Sequence, residues 1–105
     1  SDIIIRREEC FMDINKVADN GKLKVAISGR LDTTTAPELE KELDFTGITS
    51  VEFDLADLEY VSSAGLRVIL MVQKNMKGNF VLKNVKPEIM EIFEITGFAD
   101  ILTIE

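Results

Sequence analysis

The sequence predicts an α/β domain built on a single mixed β-sheet of about four to five strands, with helices mainly on one face. Three observations carry this. Short segments alternate apolar and polar residues, with Leu23, Val25 and Ile27 in one and Val51, Phe53 and Leu55 in another, at the period of half-buried strands. Lys22, Lys24, Glu52 and Asp54 take the alternate positions, so one sheet face is apolar and the other wetter. A helical run after Ser62-Ser63 then makes a connection long enough to return the chain for parallel pairing, with the right-handed crossover such connections take. At 105 residues, 46% hydrophobic and 30% charged, the chain has the size for one core, and residues 1–105 read as a single domain.

Taken in order, residues 1–9 place Ile3-Ile4-Ile5 before Arg6-Arg7-Glu8-Glu9, and read either as an added edge strand or as a flexible leader. Residues 10–17, with Phe11, Met12, Ile14 and Val17, should pair antiparallel with residues 22–28, because Asn20-Gly21 is a hairpin dipeptide. Gly29-Arg30-Leu31-Asp32 leaves the second strand. Thr35-Ala36-Pro37-Glu38 then matches a capping box with proline in the first turn, predicting a short helix to about Leu43. Ala36, Leu39 and Leu43 form its inner face, and Glu38, Lys41 and Glu42 its solvated side. Gly47 breaks the chain before a third strand at 51–55. The helix after Ser63 ends at Lys77-Gly78-Asn79, and a fourth strand occupies 80–82. Pro87 opens a last helix that buries Ile89, Ile92, Phe93 and Thr96, with Ile95 at the flank and Gly97 as terminator. A short final strand falls at 102–104.

Composition narrows the function. With 19 acidic against 12 basic side chains the formal charge is −7, which opposes attraction to nucleic acid or anionic membrane and points to a protein partner. Histidine is absent, which removes the commonest general base and a frequent zinc ligand. The single cysteine, Cys10, cannot form an internal disulfide and reads as a structural strand residue in a reducing compartment. No apolar run approaches the roughly 20 residues of a membrane span, and no secretory pattern opens the sequence. A cytoplasmic protein without a cofactor is expected. Asp32, Asp54 and Asp57 could gather near one turn, but carboxylates at strand ends are ordinarily solvated or act as caps, so no metal site is assigned.

The stretch Tyr60-Val61-Ser62-Ser63-Ala64-Gly65-Leu66-Arg67 hands a loop over to an apolar helix. A serine here can cap the free N–H groups of the helix start, and the same groups, with the positive end of the helix dipole, suit a phosphate on Ser63. Both readings stand at this point. At about 100° per residue, Arg67, Met71 and Lys74 fall on the same side as Ser63. They make either a docking face or an outer surface on which the two cations are solvated and Met71 is core. Residues 66–77 hold Arg67, Lys74 and Lys77 and no acid, a local field that a phosphate on Ser63 would meet. A serine hydrolase is disfavoured: there is no histidine base, no Gly-x-Ser-x-Gly, and no Ser-x-x-Lys starting at Ser62 or Ser63.

Three features in this order are similar to the STAS family, specifically the small bacterial anti-sigma-factor antagonists. They are Gly29-Arg30-Leu31-Asp32, Asp54-Leu55-Ala56-Asp57-Leu58-Glu59-Tyr60 running into Ser62-Ser63-Ala64-Gly65-Leu66, and Thr96-Gly97-Phe98. The resemblance covers nearly the whole chain from about Cys10. It implies a binding protein, not an enzyme, whose acceptor serine falls at Ser63 and is phosphorylated by a partner that is both serine kinase and anti-sigma factor. The unphosphorylated form would capture that partner and free a sigma factor for transcription, and a serine phosphatase would reset it. Asp32 resembles the family's acidic residue close to the acceptor, and with Ser62, Ser63, Arg67, Met71 and Lys74 it completes the expected partner-binding set. Ser62 stands where the family usually carries aspartate, and Ala64 where it carries a second hydroxyl, so Ser62 is an alternative acceptor. The other function consistent with the resemblance is a STAS interaction module in a signalling or transporter-associated assembly without sigma-factor control.

Overall fold

The computed structural model describes residues 12–105; the expected edge strand or leader at 1–9, and Cys10 and Phe11, lie outside the described residues. The strand that organises the sheet is β2 (Lys22–Leu31), which buries Leu23, Val25, Ile27 and Leu31 and turns Lys22, Lys24 and Arg30 to solvent. β1 (Met12–Asp19) pairs with it antiparallel through a two-residue turn. Asn20 and Gly21 take φ of 51° and 82°, the left-handed pair that a tight hairpin demands and that the Asn-Gly dipeptide supplies cheaply. On its other edge β2 pairs in parallel with two strands in succession, β3 (Ser50–Asp54) along its first half and β4 (Leu58–Val61) near its end. A register shift between Gly29 and Arg30 marks the change of partner.

Beyond β3 the sheet continues with β5 (Phe80–Lys83) and β6 (Thr103–Ile104), both parallel to their neighbours. Among the described residues the mixed sheet has six strands, the five expected from residue 10 onward and one more, β4. Among the described residues the helices are α1 (Ala36–Glu42), α2 (Ser63–Asn75) and α3 (Pro87–Thr96), followed by a 3-10 turn at Phe98–Asp100. Leu39, Val68, Ile69, Val72, Ile89 and Phe93 from the helices join Val25, Ile27, Val51, Phe53 and Leu82 from the strands in one core. Phe53 and Phe80 meet edge to face there, ring centroids 4.8 Å apart.

The opposite sheet face carries a charged cluster: Glu52 is buried between Lys22 at 3.2 Å and Lys83 at 3.5 Å. Thr96 departs from expectation. It is exposed, and its hydroxyl donates to the Ile92 carbonyl at 2.7 Å, because the helix ends there and Gly97, at φ 83°, turns the chain away. Among the described residues no helix is long and apolar enough to cross a membrane.

Candidate functional site

Where β4 runs into α2, the two adjacent serines have different surroundings. Ser62 is extended, and its hydroxyl oxygen accepts the Gly65 N–H at 3.4 Å while its carbonyl accepts the Leu66 N–H at 2.9 Å. It is the N-cap. Ser63 is the first helical residue and is exposed, and among the described residues no group hydrogen-bonds its hydroxyl. The first turn of α2 carries no acidic side chain, so the free N–H groups at the helix start meet no negative charge from their own helix.

Two consecutive carbonyls at the end of β2 hold the surroundings together. The Leu31 carbonyl accepts the Ser62 N–H at 2.9 Å, and the Arg30 carbonyl accepts the Thr35 hydroxyl at 2.7 Å. Gly65 lets α2 come this close: a Cβ there would lie 2.7 Å from Leu31 Cγ, 2.8 Å from the Leu31 carbonyl oxygen and 2.9 Å from Val61 Cγ2. Space, and not torsion, requires this glycine.

Asp32 folds the loop after β2 onto itself. Its Oδ1 accepts the N–H groups of Thr34 at 3.0 Å and Thr35 at 3.1 Å. The buried Thr35 hydroxyl in turn accepts the Asp32 N–H at 2.9 Å. The expected capping box is therefore not made: Thr35 precedes α1 in a helical rather than extended conformation with no side-chain cap, and its hydroxyl oxygen accepts the Asp32 N–H instead of a helix N–H. Burial pushes the Asp32 carboxyl up, but the Thr35 and Thr34 N–H groups, with further help from Arg30, outweigh it and hold the carboxyl below the ordinary aspartate value. Arg30 Nε lies 3.5 Å from Asp32 Oδ2, and its guanidinium stacks 4.4 Å from the centre of the Tyr60 ring.

Between α1 and α2 runs an open groove of about 390 Å³, with Ala36, Pro37 and Glu40 on one wall and Ala64, Arg67, Val68 and Met71 on the other. It brings together two of the expected docking residues, Arg67 and the half-buried Met71. Ser63 and Lys74 are exposed on α2 but do not line it, and Asp32 sits in the loop leading to α1. Asp54 and Asp57 share a separate shallow hollow with Asn15 and Ser28, without Asp32. Asp54 serves local structure there, accepting from Asn84 at 3.1 Å and from the Ala56 N–H at 3.0 Å. Sequence reasoning missed Glu40, Arg30 and Tyr60. Arg30 was in plain view two residues before Asp32, but its stacking on Tyr60 follows from the β2–β4 register, which no local pattern encodes.

The chain is 40% identical over 91 residues to BtrV of Bordetella bronchiseptica, a protein named as an anti-sigma factor antagonist, over 81% of this chain and 78% of that protein. The crystal structure of an anti-sigma factor antagonist from Mycobacterium paratuberculosis matches with a TM-score of 0.77 at 20% identity, covering 89% of this chain and 84% of that one. The Bacillus cell fate determinant SpoIIAA in its phosphorylated form matches at 0.69 and 14% identity, covering 89% and 91%. At such identities the likeness of the two structures is one of fold. The sequence itself matches the STAS domain family model over residues 13–105, and the chain belongs to the STAS domain family.

Proposed function

We propose that the chain is an anti-sigma factor antagonist that binds an anti-sigma factor with serine-kinase activity while Ser63 is free and releases it when Ser63 is phosphorylated. The observation that carries this reading is the division of labour between the serines. Ser62 spends its oxygen on the helix cap, whereas Ser63 offers an exposed, unbonded hydroxyl one residue later. A phosphate there would add about −1.5 to −2 charge beside free helix N–H groups and one turn before Arg67. The similarity to BtrV supports the choice of partner. A phosphatase completes the cycle, and the protein acts in the cytoplasm by binding and not by catalysis. Asp32, Ser62, Ser63, Arg67, Met71 and Lys74 form the partner-facing set.

The test has two arms. Incubation with a purified anti-sigma factor kinase and ATP, followed by mass spectrometry, should place phosphate on Ser63; no phosphate on either serine would sink the switch, and phosphate on Ser62 alone would move it. Capture of that factor, measured by calorimetry, should weaken tenfold or more in Ser63→Asp, by rough analogy with other charge insertions at interfaces, and survive in Ser63→Ala. Equal affinities would favour the interaction module without sigma-factor control, a reading to which Ser62 in place of the family's aspartate gives some weight.

A further inference from the structure

The groove between α1 and α2 is charged in opposite senses on its two walls. Glu40 stands on the α1 wall with the exposed Lys41 next to it in sequence, while Glu38 and Glu42 of that helix line a separate hollow against Met12 and Ile14, where Glu42 pairs with Lys16 at 2.9 Å. Arg67 stands on the α2 wall, and the exposed Lys74 continues the same side of the helix. Both line the groove, yet among the described residues neither Glu40 nor Arg67 takes part in an ion pair, with each other or with any other group. The floor between them is apolar, from Ala36, Ala64, Val68 and Met71. Opposite charges left unpaired on facing walls, over an apolar floor, make a template with a direction.

We infer that this groove receives an amphipathic helix of the anti-sigma factor, oriented so that a Lys or Arg flank faces Glu40 and an Asp or Glu flank faces Arg67. The inference rests on the proposed function and names which segment of that partner is recognised. A helix is the occupant the chemistry selects. The walls are two helices whose backbone groups are bonded internally, so the groove offers no edge to an extended peptide, whereas a helix satisfies its own backbone and presents only side chains. The length of α1, seven residues or about 10 Å, accommodates roughly two turns of such a helix. Charges on both flanks then fix its direction, because the reversed helix would set like charges against both walls.

The same arrangement specifies what phosphate would do. Ser63 and Arg67 are four residues apart on α2, hence neighbours on its surface. A phosphate on Ser63 cancels the positive wall and turns it negative, and the acidic flank of the partner helix is then repelled.

The test exchanges the two charges. The double variant Glu40→Arg/Arg67→Glu keeps the net charge and alters two exposed side chains, so folding, checked by thermal melting, should be retained. Its affinity for an anti-sigma factor that the unmodified chain binds should fall at least about tenfold. Unchanged binding by the charge-exchanged variant overturns the inference while leaving the proposed function standing. Failure of the unmodified chain to bind any anti-sigma factor overturns both.

Discussion

Gly65→Ala sets two opposing effects against each other, and their sizes decide the sign. Alanine is the better helix former by about 1 kcal/mol, so in an unobstructed first turn the substitution would stabilise α2. The space argues otherwise. The added Cβ would lie 2.7 Å from Leu31 Cγ, 2.8 Å from the Leu31 carbonyl oxygen and 2.9 Å from Val61 Cγ2, where optimal carbon contacts sit at about 3.5–4.0 Å. The Leu31 side chain can rotate only within a packed core, and the carbonyl cannot yield without weakening its bond to the Ser62 N–H. Overpacking of this kind typically costs about 1–3 kcal/mol, and loosening of that 2.9 Å bond adds to it. The net expectation is a loss of about 1–2 kcal/mol, or a melting point lower by roughly 4–15 °C for a domain of this size. Differential scanning calorimetry reads this directly. A melting point equal to or above that of the unmodified protein would refute the close approach of α2 to the end of β2, and with it the placement of Ser62 and Ser63.

Ser62→Ala removes the cap and should cost about 0.5–1 kcal/mol, at the low end of the usual range because the bond to Gly65 is long at 3.4 Å; Ser63→Ala, which removes no hydrogen bond among the described residues, should leave the denaturant midpoint within error. If both substitutions shift the midpoint equally, the division between cap and acceptor is wrong. The acid limb of stability should trace to Asp32 and Glu52. Burial raises both carboxyls, but hydrogen bonds at Asp32, and Lys22 with the Lys83 and Lys24 charges at Glu52, outweigh it and leave each below its ordinary value. With folded values below unfolded ones, their contribution is complete above the unfolded carboxylate range of about pH 4–4.5 and is lost as pH falls through the folded values. Asp32→Asn and Glu52→Gln should each flatten the fall in melting point below about pH 4.5, and an unaltered acid limb in both variants would remove these groups from the account.

What the sequence disclosed, and what it withheld, divides by the range of the interactions involved. The hairpin was legible because Asn20-Gly21 meets a local torsional need, and β2 and β3 because their alternation needs only one buried face. β4 was not. Leu58-Glu59-Tyr60-Val61 buries its two ends and exposes its middle, so no period of two is visible, and it is a strand only because the far end of β2 pairs with it. Thr35 shows a local signal overruled: four residues matched a capping box, but the Thr35 oxygen accepts the Asp32 N–H and its backbone is already helical, so no cap bond is made. At the candidate site the position of the two serines at a helix start was readable, and so was the placing of Ser63, Arg67, Met71 and Lys74 along one helix. Which serine caps was not, since either could serve by local rules, and Glu40 became visible as a site residue only when α1 packed beside α2.

The end of β2 also constrains how a modification at Ser63 can act. The Arg30 carbonyl fixes Thr35 and, through it, the Asp32 loop, while the next carbonyl, of Leu31, fixes the first residue before α2. Both walls of the groove therefore start from adjacent residues of one strand that is paired on both edges. A frame tied in this way resists a change in the spacing of α1 and α2, because moving either helix start breaks a bond to the strand that also positions the other. An added phosphate, exposed at the first turn of α2 and already favoured by the helix N–H groups, has no strain to relieve by shifting the helix. What it alters is charge, on the wall where Arg67 stands one turn away. On the proposed reading, phosphate at Ser63 would act by changing which flank of the inferred partner helix is attracted and which is repelled, with the backbone held in place.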